Sequence, residues 1–315
     1  MPSSRSLWHI DSSHSEIRSQ HLELQPGQIL LQSLYSLISL GTEKTIALGG
    51  VPENMYDKMK VPHMEGSFTF PVKYGYSLVA RSEEGRCYHL MHPHQDRVAV
   101  NPDTLTPVPT EIPPARAVLI SNMETALTAY WDAGPLKNEK ILIVGFGLIG
   151  ALIALLLRLK GFEDITIYEP DATRTGLARR LGFHTGDPGF DPGPFDLAFH
   201  SSGNPSGLQH CLEVMGLEGR ILELSWYGRQ KITLGLGEHF HINRLSIIAS
   251  QVSSIPRKLQ GAWNFAKRKQ EVLALLADPC WDKLVIEEVP FENSPAVFDK
   301  IRHSQSKALT YILKY

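Results

Sequence analysis

The sequence predicts an α/β protein in which a β-rich N-terminal part precedes a doubly wound parallel sheet. Up to about Pro114, short apolar runs are cut by Gly, Pro and Ser, as in a barrel-like β domain; strands are predicted in "QILLQSLYSLIS", "FPVKYGYSLVA" and "RVAVNP". From about Ala115, strand and helix patterns alternate, which is typical of a parallel sheet. One of these strands, "KILIVGFG", ends in a glycine-rich turn that opens into an apolar helix.

The elements of the second part follow one another in a regular order. A helix is predicted first, in "AVLISNMETALTAYWDAG". Strands are then predicted in "KILIVGFG", "DITIYEP", "FDLAFHSSG", "GRILELSW" and "LSIIASQ", with helices in "LIGALIALLLRLKG", "TRTGLARRLG" and "PSGLQHCLEVMG". The final helix, "KLQGAWNFAKRKQEVLALLA", and the final strand, "ALTYILKY", have no sheet of their own. We therefore expect them to return to the first part.

Size and composition are those of a soluble protein of two domains. The chain has 315 residues, of which 43% are hydrophobic and 20% charged, with a net charge of −2. This balance gives no reason to expect a nucleic-acid partner. No apolar run is long enough to span a bilayer, and the N-terminus lacks the apolar core of an export signal. We therefore expect a cytoplasmic protein with no membrane partner.

The turn "GFGLIG" has the G-x-G-x-x-G spacing of a dinucleotide site. Gly145 permits the tight turn, Gly147 lets a pyrophosphate approach the backbone, and Gly150 lets the helix pack close to the strand. The first helical residues, Leu148 and Ile149, then offer free N–H groups and the helix dipole to the phosphates. The motif is specific here because it closes a strand and opens a helix.

An acidic residue after the next strand favours NAD over NADP. Glu169 lies 24 residues beyond Gly145, where a carboxylate is expected to accept hydrogen bonds from the adenosine ribose. This carboxylate would repel the 2′-phosphate of NADP. Arg174 could bond a ribose hydroxyl or attract that phosphate, so NADP stays possible.

Together these parts resemble the medium-chain dehydrogenase/reductase (MDR) superfamily over nearly the whole chain. The resemblance implies a GroES-like catalytic domain at residues 1–121, to which residues 253–315 return, and a Rossmann domain at residues 122–252. It also implies an NAD(P)-dependent oxidoreductase that transfers a hydride between nicotinamide and a carbonyl, an alcohol or an activated C=C substrate.

The zinc-ligand positions of that family correspond to Leu40, Tyr76 and Ser121 here. They lie in "ISLGTE", in a triplet that is G-H-E in the family and G-Y-S in this chain, and four residues before Thr125 in "SNMETAL". Leu, Tyr and Ser cannot form the Cys/His site that zinc requires. The four closely spaced cysteines of the family's structural zinc loop are also missing. The chain therefore resembles a zinc-independent member.

Further segments resemble the zinc-type alcohol dehydrogenase-like subgroup. They are "YSLISLGTE", "EGSFTFPVKYGYSLV", "HPHQD", "NMETALTAYWDA", "SSGNP", "LSWYG" and "ASQVSS". Relatives in that subgroup include the bacteriochlorophyllide hydroxyethyl dehydrogenases. Nothing in the residues themselves indicates a tetrapyrrole substrate.

The same resemblance implies further cofactor contacts and a homodimer. Thr125 would touch the nicotinamide, and Ser201 and Ser202 would flank the adenosine. The loops after later strands would surround the nicotinamide, through Leu224, Ser225, Trp226, Ser250 and Gln251. The segment "RLSIIASQV" resembles the strand through which family dimers join their sheets, and an exposed apolar edge would favour such pairing.

Without zinc, hydroxyl groups are the expected donors to the substrate oxygen. Tyr76 is therefore the candidate proton donor, and Thr42 is the candidate orienting or relaying group. Alternatively, the Tyr76 ring only lines the pocket. Two other interpretations stay open: a dinucleotide sensor that has lost catalysis, and a zinc enzyme with unusual ligands such as His92 and His94. We expect these two histidines to lie in a strand, where an i, i+2 pair points to one face.

Overall fold

The computed structural model describes residues 3–186, 193–284 and 286–315. The strands of these ranges are β1 (Ser3–His9), β2 (Ser15–His21), β3 (Ile29–Leu37), β4 (Glu65–Gly66), β5 (Val72–Lys73), β6 (Leu78–Arg81), β7 (Cys87–Leu90), β8 (Arg97–Val100), β9 (Thr106–Pro107), β10 (Ile141–Val144), β11 (Ile165–Tyr168), β12 (His184–Thr185), β13 (Phe195–His200), β14 (Met215–Glu223), β15 (Ser246–Ala249), β16 (Glu287–Pro290) and β17 (Tyr311–Lys314). The α-helices are α1 (Leu40–Ala47), α2 (Tyr56–Met59), α3 (Pro114–Ala117), α4 (Ile120–Ala133), α5 (Leu148–Leu159), α6 (Ala172–Arg180), α7 (Pro205–Val214), α8 (His239–Ile242), α9 (Phe265–Leu276) and α10 (Ser294–Arg302). Short 3-10 turns lie at Glu53–Met55, Pro102–Thr104, Arg257–Leu259, Pro279–Lys283 and Phe291–Asn293.

The central part of the chain forms a six-stranded sheet in the order β12-β11-β10-β13-β14-β15. Every pairing in it is parallel. All four residues of β10 are buried, as expected for a strand whose sheet is covered on both faces. The predicted doubly wound parallel sheet is confirmed.

The N-terminal part forms two mostly antiparallel sheets. One has the order β2-β1-β5-β4, and the other has the order β16-β17-β3-β6-β7-β9, with β8 also paired to β3. In the second sheet, the final strand β17 lies between β16 and β3. The C-terminal strand therefore returns to the first part, and together these sheets and the parallel sheet form the predicted α/β architecture.

The main core lies where helices cover the parallel sheet. Helix α5 buries nine of its twelve residues, and α4 packs alongside it. Helix α9 in turn packs on α4, through Val272 and Leu276 among others. The start of α4 is thus held between the two parts of the chain, and this arrangement places Thr125 and its neighbours at their junction.

The segment that carries Tyr76 is a bend, where the sequence predicted a continuous short strand. Strand β5 ends at Lys73 and β6 begins at Leu78, and the two strands belong to different sheets. Gly75 has φ = 142°, and a Cβ there would lie 3.1 Å from the backbone nitrogen of His94. Glycine thus lets the chain pass from one sheet to the other close to a neighbouring backbone.

No helix in the described part of the chain is long and apolar enough to cross a membrane.

Candidate active site and dinucleotide site

The residues predicted to contact a dinucleotide meet at one edge of the parallel sheet. Because parallel strands run in the same direction, their carboxyl ends lie together, and this edge is where open α/β sheets bind ligands. The residues that follow β10, β11, β13, β14 and β15 there include Gly145, Gly147, Glu169, Ser201, Ser202, Leu224, Ser225, Trp226, Ser250 and Gln251.

The glycine turn has the space that phosphate binding needs. Gly145 has φ = 94°, and a Cβ on it would lie 2.6 Å from Ser202 Cα. A Cβ on Gly150 would lie 2.0 Å from the Gly145 carbonyl oxygen, so α5 can approach β10 only with glycine there. By contrast, a Cβ on Gly147 would meet nothing within 4 Å. Each glycine thus has the environment that its position in the motif requires.

Helix α5 begins directly after this turn, with Gly147 as its N-cap. Its first residues, Leu148, Ile149 and Gly150, therefore carry N–H groups without intrahelical acceptors. These groups can donate to a diphosphate beside the open face of Gly147.

Glu169 stands beside the turn and holds it. Its carboxylate accepts hydrogen bonds from the backbone N–H groups of Phe146 at 2.7 Å and Asp171 at 3.0 Å. Arg174 lies in the following helix, where its Nη2 donates to the Ala308 carbonyl at 3.2 Å. Its buried Nε has no partner among the described residues. Glu169 and Arg174 stay predicted contacts of the adenosine ribose.

Sequence reasoning missed a buried polar network at the ends of β13 and β14. The His200 imidazole is fully buried and bonds Glu223 Oε2 at 2.8 Å and Ser202 Oγ at 2.7 Å. Ser225 donates its backbone N–H to Glu223 and accepts from the Gly203 N–H at 3.0 Å. The network therefore fixes the two loops that carry Ser202 and Ser225. A signal was present, because His and Glu each end an apolar strand in "FDLAFH" and "GRILE".

The remaining predicted contact residues, Thr125, Ser250 and Gln251, form hydrogen bonds within the protein. Thr125 Oγ1 donates to the Ser121 carbonyl at 3.3 Å, and Ser250 Oγ donates to Asp132 at 2.7 Å. Gln251 is exposed and accepts from the Ser253 N–H. These residues stay predicted cofactor contacts.

The loop after β14 reaches the N-terminal part of the chain. Arg229 donates from its backbone N–H to the Gly50 carbonyl and from Nε to the Val51 carbonyl, both at 3.0 Å. Trp226 and Tyr76 pack against the same apolar cluster, which includes Val72. The end of the parallel sheet and the bend that carries Tyr76 are therefore neighbours.

Tyr76 and Thr42 lie together, as their pairing in one site requires. The Tyr76 phenol lies near the side-chain hydroxyls of Thr42 and Ser39. Burial of the phenol, together with the nearby charge of Glu43, raises the pKa of Tyr76 to about 12 against the lowering effect of those two hydroxyls. The phenol is therefore protonated at neutral pH and can act as a hydrogen-bond donor.

The Tyr76 backbone is fastened to the start of α4. Ser121 Oγ donates to the Tyr76 carbonyl at 2.9 Å, and Ser77 Oγ donates to the Val118 carbonyl at 2.6 Å. His89 Nε2 lies 3.2 Å from the first hydroxyl and 3.1 Å from the second. Because both hydroxyl hydrogens are used, His89 Nε2–H must donate to both oxygens. Burial lowers the pKa of His89 well below its usual value, so the ring is neutral.

The three positions that correspond to zinc ligands by the resemblance have other contacts here. Leu40 packs on an apolar cluster that includes Ile38 and Phe298, and Ser121 is bonded to the Tyr76 carbonyl. Leucine, tyrosine and serine do not form a Cys/His donor set, so these residues do not fit a zinc ion. Elsewhere in the described ranges, no group of three or more His, Cys, Asp or Glu could hold a metal.

His92 and His94 are buried in a loop, where the sequence predicted a strand with both rings on one face. The His92 ring stacks on His63 with the ring centroids 4.7 Å apart. His94 instead bonds Glu43 Oε2 at 2.8 Å and Ser36 Oγ at 2.7 Å. The two rings thus have separate partners.

Sequence comparisons find distant dehydrogenase relatives, and no family model matches the chain. D-guloside 3-dehydrogenase of Shigella flexneri is 26% identical over 212 residues, which are 62% of this chain and 60% of the relative. L-idonate 5-dehydrogenase (NAD(P)(+)) of Escherichia coli (strain K12) is 22% identical over 246 residues, which are 75% of this chain and 60% of the relative. The chain thus spans about 60% of the length of these curated relatives.

Solved structures match the whole chain. L-idonate 5-dehydrogenase from Escherichia coli has a TM-score of 0.77 at 15% identity and covers 100% of this chain and 99% of its own. Acetophenone reductase from Geotrichum candidum, solved with NAD, has a TM-score of 0.76 at 16% identity and covers 100% and 98%. These structures show that the chain has the fold of these dehydrogenases, with a GroES-like part and a Rossmann part.

Proposed function

We propose that this protein is an NAD(P)-dependent oxidoreductase that transfers a hydride between nicotinamide and a carbonyl or alcohol. The observation that carries the proposal is the glycine turn, in which Gly147 is open while Gly145 and Gly150 are closely packed. The turn lies at the same sheet edge as Trp226, which packs against the apolar cluster that also holds Tyr76. Support also comes from the relatives, which are named as dehydrogenases and reductases.

Different residues would bind the dinucleotide and the substrate. The N–H groups at the start of α5 would bind the diphosphate, and Glu169 would accept from the adenosine ribose. Thr125 and the loops after β13, β14 and β15 would surround the nicotinamide. The bound dinucleotide supplies the hydride chemistry. Tyr76 and Thr42 would hold the substrate oxygen.

The state of Tyr76 suits a proton donor in carbonyl reduction. With a pKa of about 12, the phenol keeps its proton at neutral pH. It can therefore donate to the negative charge that develops on a carbonyl oxygen. In alcohol oxidation the same oxygen would take up the proton that the substrate loses.

The substrate class we propose is a carbonyl or secondary alcohol with neighbouring polar groups. Support comes from the names of the relatives, which include D-guloside, L-idonate and L-threonine dehydrogenases. Reduction of an activated C=C is the less favoured alternative, because none of these names describes it.

Zinc independence is part of the proposal. Its support is the donor set at positions 40, 76 and 121 and the bond from Ser121 to the Tyr76 backbone. Metal analysis of purified protein, followed by assay after treatment with a chelator, tests it. One bound zinc per chain together with loss of turnover on chelation would contradict it.

NAD is the proposed cofactor, with NADP possible. The Glu169 carboxylate remains at the strand end with its charge beside the turn, and this charge would repel a 2′-phosphate. Arg174 is partly engaged with Ala308, although its Nε has no partner among the described residues.

A homodimer through β15 is also proposed. This strand ends the order of the parallel sheet and exposes Ile247, and Ile242 and Leu217 are exposed on segments beside it. An apolar sheet edge of this kind is a pairing surface. Light scattering on purified protein tests the dimer, and a monomer at micromolar concentration would contradict it. The cytoplasmic location stays a prediction.

The decisive experiment is a titration with NADH and NADPH followed by assay on a carbonyl panel. We expect NADH binding and turnover of hydroxylated ketones. Binding without turnover of any carbonyl would favour the dinucleotide sensor. Absence of binding to either dinucleotide would overturn both proposals.

A further inference from the structure

Arg268 in α9 is a buried cation that contacts two other segments at once. The residue is 5% exposed. Its Nη1 donates to the Val252 carbonyl at 2.6 Å and to Thr128 Oγ1 at 3.1 Å, and its Nε donates to Glu124 Oε1 at 3.3 Å. Val252 lies in the loop after β15, whereas Glu124 and Thr128 lie in α4. One guanidinium therefore joins that loop to α4.

The polar groups around this guanidinium are all satisfied inside the protein. Thr128 Oγ1 donates its own hydrogen to the Glu124 carbonyl at 2.8 Å, so this oxygen is an acceptor for Arg268. Glu124 is 7% exposed, and its Oε2 accepts from Lys269 Nζ at 2.5 Å. Each oxygen of the buried carboxylate thus has a cation as its partner.

The residues that Arg268 contacts adjoin two predicted nicotinamide contacts. Val252 directly follows Gln251 in the loop after β15. Glu124 directly precedes Thr125 in α4. The guanidinium therefore holds the loop of Gln251 against the helix turn of Thr125.

We propose that Arg268 is a positioning residue that holds Thr125 and Gln251 in place for the nicotinamide ring. This inference rests on the proposed function and deepens it, because it assigns a buried side chain to one end of the cofactor. Hydride transfer requires a closely defined position of that ring relative to the reacting carbon. The predicted contacts of the diphosphate and the adenosine, at Gly147 and Glu169, belong to other segments.

The chemistry of the side chain supports this role. Burying a charged pair is costly, and an apolar side chain of similar size could fill the space without that cost. A guanidinium, however, presents its N–H groups in a rigid planar fork, so three hydrogen bonds to it fix the relative positions of its partners. Arg268 thus gives the loop a defined position on α4.

Arg116 in α3 offers a matched comparison at the other end of α9. It is 8% exposed, and its guanidinium donates to Asp282 Oδ1 at 2.8 Å and to the Leu276 carbonyl at 3.2 Å. Leu276 is the last residue of α9, and Asp282 lies in the turn that follows it. Neither acceptor adjoins a predicted cofactor contact, so Arg116 holds the same helix away from the nicotinamide end.

The first test compares the binding of NADH with that of ADP-ribose, which lacks the nicotinamide. Calorimetric titration measures both Kd values in wild type and in the variants. Arg268→Met should weaken NADH binding about tenfold and leave the Kd of ADP-ribose within about twofold of wild type. Arg268→Lys keeps the charge without the planar fork, so its loss for NADH should be smaller. Arg116→Met should lower the melting temperature and leave the ratio of the two Kd values unchanged.

Equal losses for NADH and ADP-ribose in Arg268→Met, or no loss for either, would overturn the proposal. Wild-type protein that binds neither ligand would overturn the proposed function itself, so the two failures are distinguishable. Thermal melts show whether each variant is folded. If Arg268→Met does not fold, the comparison is made with Arg268→Lys, in which an unchanged ratio of the two Kd values would overturn the proposal.

The second test measures turnover of any carbonyl that the protein reduces. At saturating NADH, Arg268→Met should lower kcat about tenfold, because a displaced nicotinamide is poorly aligned with the reacting carbon. The KM of the carbonyl should change less, since the proposal places Arg268 behind the cofactor contacts and not against the substrate. A wild-type kcat in Arg268→Met would contradict the proposal.

Discussion

The glycine turn and the hydroxyl cluster around Tyr76 are built in opposite ways. The turn presents backbone N–H groups from consecutive residues, 145–150, and depends on the absence of side chains. The hydroxyl cluster presents side chains from three separate segments, which contribute Ser39 and Thr42, Tyr76, and Asn122. A backbone site is thus a local property of the chain, whereas a side-chain site exists only after distant segments have packed. Variants that damage one site and leave the other intact can test this difference.

Breaking the turn should have the largest effect. Gly150→Ala places a Cβ 2.0 Å from the Gly145 carbonyl oxygen, and we expect it to lower the free energy of unfolding by about 3 kcal/mol and to abolish dinucleotide binding. Gly147→Ala meets nothing within 4 Å, so it should fold normally but weaken dinucleotide binding about 100-fold. Urea unfolding and calorimetric titration measure the two effects. Gly261→Ala, also without close contacts, is the control; wild-type binding by Gly147→Ala would contradict the prediction.

Removing the phenol hydroxyl should affect only the second site. Tyr76→Phe keeps the ring in its apolar cluster, so we expect an unchanged dinucleotide Kd and a kcat about 100-fold lower. Steady-state kinetics and the same titration measure this. Tyr88→Phe, which packs in a different cluster, serves as the matched control. An unchanged kcat in Tyr76→Phe would leave the ring as a pocket wall only.

Changing the carboxylate beside the turn should alter cofactor preference and leave the chemistry intact. Glu169→Ser removes the charge that would face a 2′-phosphate, and we expect the affinity for NADPH to rise about tenfold relative to NADH. Competition titrations with both dinucleotides measure the ratio. Glu163→Ser removes an equal charge from an exposed position ahead of β11 and should leave the ratio unchanged. A preference for NADPH already present in wild type would refute the NAD assignment.

Acid should destabilise the part of the chain that carries the hydroxyl cluster. Near neutral pH this loss of stability is smaller than the effects of the variants above. Burial, with neighbouring positive charge, lowers the pKa of His9 to about 3, and burial lowers that of His92 to about 3. Between pH 6.5 and 3 the unfolded chain therefore binds more protons than the folded chain. Stability should fall with decreasing pH by about 1.4 kcal/mol per pH unit for each histidine.

Urea unfolding at several pH values between 7 and 4 measures this slope. His92→Asn should reduce the slope of the unfolding free energy against pH by about 1.4 kcal/mol per pH unit, the contribution of one histidine. The same change at the exposed His184 should leave the slope as in wild type. A slope that does not differ between His92→Asn and wild type would show that His92 is not buried in the neutral form.

The fold could be predicted in outline because its signals are local. Strand and helix periodicities along residues 141–249 indicate the parallel sheet, and that sheet is present. Element details were less predictable. The bend at Tyr76 and the loop at His92 and His94 were expected to be strands, but each is a crossing between packed segments. Local sequence carries little information about such crossings.

The candidate site likewise has residues that could be predicted from the sequence and residues that could not. The spacing of Gly145, Gly147 and Gly150 and the position of Glu169 could be read directly, because the turn and the strand end lie close in sequence. The contacts of Ser39, Asn122 and His89 could not, because they join residues 32 to 83 positions apart. Hydroxyl and amide groups occur throughout any sequence, and only packing decides which of them meet.

The sequence by itself therefore determined the architecture, which follows from the periodicity of strands and helices. It also determined the glycine turn proposed to bind a dinucleotide, which follows from the positions where glycine is required. Only the tertiary structure decided that Ser121 donates a hydrogen bond to the Tyr76 carbonyl and that Ser39 and Thr42 lie near its phenol. The physical reason is that a hydrogen bond between side chains requires its atoms to be within about 3.5 Å. In this protein that distance is set by the packing of α1, α4 and the Tyr76 bend against one another.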